Sequence, residues 1–412
     1  MNGTTGPTPS IGAPRSAYLH IPFCHRRCFY CDFAVVPLGD RADGAGGPGS
    51  ASIRAYLALL HAEIEAAPAG PPLSTVYIGG GTPSLLAPEQ VGALLAALGR
   101  RYGLAPGAEI SLELDPAGFD QRRLEALLAL GVTRVSFGAQ SFDDGVLATL
   151  GRRHRRADGL AAAGWLEQAR RRGALRSWSL DLLQGLPGQT LASWDSQLEQ
   201  ALALTPPHLS VYDLILEPGT VLERRAQRGE LSTPDDDLAA DLHEHTGRRL
   251  AAAGYGHYEI SNWALPNHAS RHNRVYWSGA DWWGFGLGAT SAHGGQRLAR
   301  PRTRDGYARW LAEGGASGAA VARGPACGMP LEERLLVGLR RREGVNMAAL
   351  AAEHQLSDGE LAELRRRLDG PLATGLLQLE GPRWRLSDPQ GLALSNAVLR
   401  EMLVWCQERQ GP

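Results

Sequence analysis

Six short apolar segments alternate with longer amphipathic segments along the first 220 residues. The short ones are rich in β-branched and apolar residues and are bounded by Gly or Pro, which is typical of strands. They cover residues 16–23, 74–81, 109–116, 132–141, 178–185 and 208–217. The segments between them repeat apolar residues at helical spacing. Such alternation predicts βαβ units and a parallel sheet, so we expect an α/β fold, a partial (β/α)6 TIM-like barrel.

The pattern changes after the sixth strand, and we divide the chain accordingly. Residues 1–15 are expected to form a flexible N-terminus and residues 16–253 the barrel. Residues 254–328 are rich in aromatic residues and histidine but show no clear period, so they are assigned as an extension and connector. In residues 329–412, helical segments precede a hairpin pattern, which predicts a small C-terminal winged-helix-like α+β domain.

Unusual residues collect at the end of each predicted strand. They are Cys24, Gly79–Gly81 with Thr82, Glu113 with Asp115, Gln140 with Ser141, Asp181, and Glu217. Barrels and open α/β sheets place their active sites at the carboxyl ends of their strands. Residues of an ordinary core would not sort in this way, so the pattern predicts a ligand-binding or catalytic site.

Three of the five cysteines, Cys24, Cys28 and Cys31, form a C-x3-C-x2-C pattern, and Phe33 stands two residues further on. Zinc is one interpretation, in which His20 or His25 completes the shell. An iron–sulfur cluster is the other, because thiolates hold such clusters and three of them leave one iron open to a further ligand. Both interpretations treat the three cysteines as metal ligands.

Composition narrows the classes of function. The chain contains no lysine, which excludes a P-loop lysine and a pyridoxal-phosphate anchor. Its formal net charge of −1 does not suggest nucleic-acid binding. The N-terminus lacks the apolar region of a signal peptide and no long apolar run suggests a membrane span. We therefore expect a cytoplasmic protein, with peripheral membrane contact left open.

Seven ordered motifs resemble those of one family within the radical S-adenosylmethionine superfamily. The motifs are "YLHIPFCHRRCFYC", "GGGTPS", "LELDP", "VSFGAQSF", "LGRRH", "DLLQGLPGQT" and "VYDLILEPGT". The chain resembles the oxygen-independent coproporphyrinogen III oxidase family over about residues 16–400. Phe33 stands where the true oxidases carry a further cysteine, and "HNRVYW" at 272–277 resembles a haem-associated motif. Both features are similar to the haem-chaperone branch of that family.

The resemblance implies three cofactors and assigns residues to them. A [4Fe-4S] cluster would be held by Cys24, Cys28 and Cys31. S-adenosylmethionine would be bound by the matching motif positions Tyr18, Gly80, Gly81, Thr82, Glu113, Gln140, Arg152 and Asp181. Haem would be bound by His272, Tyr276 and Trp277, with His272 as the expected axial ligand. His257, His268 and His293 are alternatives because they lie close in sequence.

The expected function is that of a haem chaperone, which binds the cluster, S-adenosylmethionine and haem and passes haem to an acceptor protein. The alternative is a radical enzyme of the oxidase type, which acts on a porphyrinogen; Phe33 counts against this alternative. A radical enzyme with another substrate is a third hypothesis, but no motif in the sequence indicates such a substrate. Whether the chain is an enzyme is left open by the sequence.

Overall fold

The computed structural model describes residues 13–39, 48–317 and 328–410. Most of the expected flexible N-terminus and part of the connector therefore lie outside the described residues. The main sheet has nine strands, which are β1 (Ser16–Ile21), β2 (Leu73–Gly80), β3 (Leu104–Leu114), β4 (Arg134–Gln140), β5 (Ser177–Gln184), β6 (His208–Asp213), β7 (Gly256–Glu259), β8 (Asn262–Ala264) and β9 (Trp283–Phe285).

The sheet has the linear order β9-β1-β2-β3-β4-β5-β6-β8-β7. Strands β1 to β6 pair in parallel in chain order, and β9 pairs in parallel with β1. Strand β8 is antiparallel to β6 and to β7. The six predicted strands are therefore present as an open parallel sheet, and the α/β class is confirmed.

Helices connect the parallel strands and cover the sheet. The barrel helices and those of the extension are α1 (Pro48–Ala66), α2 (Pro88–Arg101), α3 (Gln121–Ala129), α4 (Asp144–Thr149), α5 (Arg156–Arg171), α6 (Leu191–Ala203), α7 (Val221–Gln227), α8 (Asp236–Ala252), α9 (Arg271–Ser278) and α10 (Arg304–Ala312). Several begin at a capping side chain: Asp120 accepts from the Arg123 amide and Thr190 from the Ser193 amide. Such caps satisfy amides that the first helical turn leaves without a partner.

The core explains why the strand segments are apolar over most of their length. Leu19, Ile78, Leu112, Phe137 and Leu180 are fully buried in one large cluster. Strands of a parallel sheet are covered on both faces, so they do not show the strict alternation of an exposed sheet. Strands β1 to β6 could be predicted from the sequence because they are apolar over most of their length.

The segment without a clear period folds into short elements. It supplies three strands to the main sheet (β7, β8 and β9), helix α9, and the antiparallel hairpin β10 (Thr290–His293) and β11 (Gln296–Ala299). Each of these strands has only three or four residues. A run that short does not establish a period of two, so its contribution to the sheet was missed.

The C-terminal residues build a second apolar core around an antiparallel sheet. The strands are β12 (Val345–Asn346), β13 (Leu377–Glu380) and β14 (Arg383–Leu386), in the order β12-β14-β13. The helices are α11 (Leu331–Gly338), α12 (Met347–Glu353), α13 (Asp358–Arg367), α14 (Asp369–Ala373), α15 (Gln390–Ala393) and α16 (Ser395–Gln410). Leu335, Trp384 and Met402 are buried in its core. Among the described residues, no helix is both long and apolar enough to cross a membrane.

Candidate functional site

A cavity of about 440 Å³ opens at the carboxyl ends of the parallel strands. We call it the thiol cavity, because the three clustered cysteines line it. The other predicted residues that line it are Gly80, Gly81, Thr82, Glu113, Gln140, Arg152 and Asp181. The structure therefore brings ten of the predicted site residues together at one edge of the sheet, although they are spread from residue 24 to residue 181 of the chain.

The loop that carries the cysteines is anchored by backbone hydrogen bonds on both sides. The Leu38 amide donates to the Cys24 carbonyl, and the Phe29 amide donates to the Leu150 carbonyl. The Arg26 guanidinium donates from Nε to the Gly151 carbonyl at 2.8 Å. Cys24 is buried, and Cys28 and Cys31 are partly exposed; all three are free thiols. The loop thus presents three soft sulfur donors to one cavity.

The glycine loop that follows β2 lies against the end of β1. Gly81 donates its amide to the Ile21 carbonyl at 2.8 Å. A Cβ atom on Gly81 would lie 2.7 Å from the Phe23 carbonyl oxygen and 2.9 Å from Cys24 Sγ. Only glycine permits an approach this close. The glycines therefore let the loop pass directly beside the first thiol.

Glu113 is half-buried in the lining of the thiol cavity. The Tyr77 hydroxyl donates to its Oε1 at 2.8 Å and the Gly80 amide donates to its Oε2 at 3.0 Å. Burial raises the pKa of Glu113 to about 7, although both hydrogen bonds oppose the shift. The carboxyl is therefore close to half ionised at neutral pH, and a cationic ligand group beside it would favour the ionised form.

Asp181 and Gln140 face the same cavity from neighbouring strands. Asp181 accepts hydrogen bonds from the Ser136 and Ser179 hydroxyls, each at 2.8 Å. Burial raises its pKa against the effect of these donors. Gln140 has a φ of 64° at a register shift between β4 and β5. Such irregularities redirect side chains near functional sites, and here the side chain lines the cavity.

Arg152 joins the cysteine loop to the sheet. Its Nη2 donates to Asp115 Oδ2 at 3.0 Å and to the Gly138 carbonyl at 2.9 Å, and its Nη1 lies 3.6 Å from Cys28 Sγ. Arg152 is thus paired with a carboxylate of the protein itself, that of Asp115, and not with one reserved for a ligand. Asp115 was among the strand-end residues that predicted the site, but it was not assigned to a cofactor. Tyr77 and Tyr212 also line the cavity and were missed.

The protonation of the thiols and the contacts of His20 decide how this site could hold a metal. Burial raises the pKa of Cys24 to about 12 and also raises the pKa of Cys31. A metal centre must displace the protons from such thiols when it binds. His20 does not face them, because its Nδ1 is bonded to the Tyr18 hydroxyl and its Nε2 to the Ala34 carbonyl. Its predicted alternative role as a zinc ligand does not agree with these contacts.

A second cavity of about 500 Å³ adjoins the thiol cavity. We call it the aromatic cavity; its lining includes Tyr18, His20, Asp32, Phe33, Tyr276, Trp277, Trp282, Arg297, Arg302 and Val337. Asp32 and Phe33 line both cavities, and Phe33 is 55% exposed. Tyr18 was expected to bind S-adenosylmethionine, but it lines the aromatic cavity. Its ring stacks at a centroid distance of 6.1 Å on the ring of Tyr77, which lines the thiol cavity.

His272 is fully buried behind the aromatic cavity and does not line it. Its Nδ1 is bonded to Thr75 Oγ1 at 2.8 Å and its Nε2 to the Tyr276 hydroxyl at 2.8 Å. Burial lowers the pKa of His272 to about 3, so the ring is neutral. An axial ligand needs a free ring nitrogen directed at the iron. The expectation that His272 ligates haem therefore does not agree with this geometry.

The three alternative histidines are also placed away from the lining of the aromatic cavity. The Nδ1 of His257 is bonded to Asp388, that of His268 to Ser177, and that of His293 to Asp281. These contacts join β7, the loop before α9 and the hairpin to their surroundings. Tyr276 and Trp277, by contrast, do line the aromatic cavity, as the sequence prediction requires of a haem wall.

An open parallel sheet with three thiols and a glycine loop at its carboxyl edge is the architecture of a radical S-adenosylmethionine protein. The model of the Radical SAM superfamily matches residues 18–200. The fold is similar to that of coproporphyrinogen III oxidase (HemN) from Escherichia coli, a radical SAM enzyme. That comparison has a TM-score of 0.76 at 23% identity and covers 96% of this chain and 90% of the other.

Sequence comparison is more specific. The chain is 40% identical to the heme chaperone HemW of Synechocystis sp., over 96% of this chain and 98% of that protein. It is 38% identical to the heme chaperone HemW of Mycobacterium tuberculosis, over 97% of each chain. It is also 35% identical to radical S-adenosyl methionine domain-containing protein 1, mitochondrial, of Mus musculus, over 98% of this chain and 90% of that one. The chain belongs to the HemW family of heme chaperones.

Proposed function

We propose that this protein is a haem chaperone that holds a [4Fe-4S] cluster and S-adenosylmethionine in the thiol cavity and haem in the aromatic cavity. It would pass that haem to an acceptor protein. The observation that carries the proposal is the contact between two different cavities at Phe33. One cavity has thiols and carboxylates, and the other has aromatic rings and arginines.

The thiol cavity fits an iron–sulfur cluster through its donor set. Cys24, Cys28 and Cys31 offer thiolates, the ligands that such clusters take. Arg152 Nη1 lies 3.6 Å from Cys28 Sγ, and its positive charge would offset the negative charge of a thiolate-bound cluster. Hydrogen bonds to the carbonyls of Leu150 and Gly151 anchor the loop that carries these donors.

The same cavity fits S-adenosylmethionine through charge and space. This ligand carries a sulfonium and an ammonium group, and the half-buried carboxyls of Glu113 and Asp181 are their natural partners. Gly80 and Gly81 keep side chains out of the space beside Cys24. Bound to the cluster, this cofactor supplies one-electron chemistry in its family; the residues named here bind and orient it.

The aromatic cavity fits a porphyrin. Trp277, Trp282 and Phe33 offer apolar rings for the macrocycle, and the cavity volume lies within the range of ligand pockets. Arg297 and Arg302 line the same cavity, where Arg297 is paired with Glu333 and Arg302 donates to the Asp32 carbonyl. Guanidinium groups such as these can also pair with carboxylates such as the propionates of haem. Apolar walls with arginines are therefore present together on one surface.

Anaerobic reconstitution of the full chain tests the cofactors. We expect a [4Fe-4S] spectrum and S-adenosylmethionine binding in the native chain, both lost in Cys28→Ser. Cys406→Ala is the matched control, because Cys406 lies in the separate C-terminal core and should leave the iron content unchanged. Haem titration should then give a stoichiometric complex, and that complex should release haem to apomyoglobin. A chain that binds no haem would refute the proposal.

A porphyrinogen oxidase is the second candidate, favoured by the fold shared with the E. coli enzyme. Phe33 occupies the position after the cysteine cluster at which the oxidases carry a cysteine, and no thiol can act there. We expect the reconstituted chain to form no protoporphyrinogen IX from coproporphyrinogen III under anaerobic conditions. Formation of that product would replace the chaperone proposal with the oxidase.

A further inference from the structure

Two tyrosine–histidine pairs lie at the aromatic cavity. The Tyr276 hydroxyl is bonded to His272 Nε2 at 2.8 Å, and the Tyr18 hydroxyl is bonded to His20 Nδ1 at 2.9 Å. Both tyrosines line the cavity. Phenolate is an established axial ligand of haem iron. His272 is not free to bind iron, because both of its ring nitrogens are hydrogen-bonded. The candidates for an iron ligand are therefore other groups in the lining of the aromatic cavity.

The hydrogen bonds of His20 fix the role of Tyr18. Because its Nε2 faces the Ala34 carbonyl, which only accepts, the ring proton must lie on Nε2. Nδ1 is then an acceptor, and the Tyr18 hydroxyl must donate to it. If Tyr18 lost its proton, two acceptors would face each other. This pair therefore holds Tyr18 as a neutral phenol, and it leaves His20 no nitrogen for iron.

The surroundings of Tyr276 permit the opposite arrangement. The Thr75 hydroxyl can donate to His272 Nδ1, so that the ring proton lies on Nε2 and is donated to the Tyr276 oxygen. That N–H is the donor that a phenolate oxygen requires. The Tyr276 ring also packs edge-on against Trp282 at 4.7 Å, and the Arg297 guanidinium lies 4.4 Å above the Trp282 ring. An anionic oxygen at Tyr276 thus has a direct donor. Burial raises the pKa of this phenol, and the Arg297 guanidinium, although paired with Glu333, opposes that shift.

The structure assigns Tyr276 as the iron ligand for haem in the aromatic cavity, with His272 as the positioning residue that donates to its oxygen. This inference rests on the proposed haem-binding function. On binding of ferric haem, an Fe–O bond to Tyr276 forms and the bond from iron to its aqueous hydroxide breaks. The phenol proton leaves with that hydroxide as water, and the iron remains ferric.

Ferric haem added to the purified full chain tests the assignment. The readouts are the resonance Raman bands of an iron-bound phenolate, the EPR signal of the ferric haem, and the dissociation constant. In the native chain we expect phenolate bands and a high-spin signal. Tyr276→Phe removes one oxygen atom, and we expect loss of the bands and an affinity lowered more than about tenfold, since a metal–ligand bond is lost.

Two further variants separate the alternatives. His272→Gln keeps an N–H donor but has no imidazole, so we expect the phenolate bands to remain, with an affinity lowered by roughly 10-fold. Tyr18→Phe tests the competing phenol, and we expect the bands to remain there as well. Bands lost only in Tyr18→Phe, or a histidine-type spectrum lost in His272→Gln and kept in Tyr276→Phe, would overturn the assignment. A native chain that binds no haem would instead refute the proposed function itself.

Discussion

The half-buried carboxyl of Glu113 should make the proposed binding of S-adenosylmethionine depend on pH. Its pKa of about 7 exceeds the ordinary value of 4.5 because it is buried. A cationic ligand group beside it would lower that pKa, and linkage requires that the ligand then bind more tightly as the carboxyl ionises. If the bound ligand lowered the pKa of Glu113 all the way to its ordinary value, the gain in binding free energy would be roughly 3.4 kcal/mol, at 1.36 kcal/mol per pH unit. That gain is about 300-fold in affinity and is the upper limit of the effect.

Only part of this range is accessible in an experiment. With one carboxyl that titrates at about 7 in the free protein, the affinity should rise roughly 10- to 20-fold between pH 5.5 and 7.5. We expect this rise in the native chain, measured by calorimetric titration with S-adenosylmethionine. Glu113→Gln should bind more weakly and show a nearly flat profile. An equally steep profile in Glu113→Gln, or a flat one in the native chain, would refute the reasoning.

Glu259 offers a matched control for this experiment. Burial raises its pKa to about 7 as well, but it lies on β7 and does not line the thiol cavity. For either carboxyl, the folded-state pKa exceeds the unfolded one, so the native state binds more protons between pH 4.5 and 7. Each therefore lowers the free energy of unfolding as pH rises through that window. In Glu259→Gln, the free energy of unfolding should therefore fall less between pH 4.5 and 7 than it does in the native chain. The pH profile of S-adenosylmethionine binding should be the same as in the native chain.

Three further substitutions follow from the same cavities. Arg152→Ala leaves the Asp115 carboxylate without its partner, and we expect a loss of roughly 3 kcal/mol in urea unfolding, since breaking a mostly buried pair is costly. Gly81→Ala places a Cβ against Cys24 and should lower the iron content after reconstitution while far-UV circular dichroism stays native. Phe33→Ala removes an exposed ring, so the free energy of unfolding should change by less than about 0.5 kcal/mol while haem binds several-fold more weakly.

Each of these expectations has an opposite result that would contradict it. Native stability in Arg152→Ala would show that Asp115 is solvated without its partner. A full complement of iron in Gly81→Ala would show that the glycine loop yields without disturbing the thiols. Unchanged haem affinity in Phe33→Ala would show that the ring at the junction of the two cavities does not contact the porphyrin.

The sequence predicted the parallel sheet because its strands are covered on both faces and therefore apolar over most of their length. It also predicted the thiol cavity, since the carboxyl ends of parallel strands meet at one edge whatever the details of the helices between them. Strands β7 to β9 were not predicted, because three or four residues form strands only through the neighbours that they pair with. Local pattern carries no information about those neighbours.

The roles of single polar residues were harder to predict for a related reason. The position of His272 within an aromatic motif led to the prediction that it is a metal ligand. In the structure it is buried, and both of its ring nitrogens are hydrogen-bonded. The partners that decide this, Thr75 and Tyr276, include one almost two hundred residues away along the chain. The pairing of Arg152 with Asp115 is likewise a tertiary contact. Residue type and spacing identify a site, whereas the direction of each side chain depends on packing.

Because Phe33 lines both cavities, the two proposed ligands would share one exposed ring. Any displacement of this ring that improves one site alters the shape of the second, and thermodynamic linkage makes the effect reciprocal. The factor by which S-adenosylmethionine changes the affinity for haem must equal the factor by which haem changes the affinity for S-adenosylmethionine. A carrier in which one ligand ejects the other would therefore hold S-adenosylmethionine less tightly whenever it is loaded with haem.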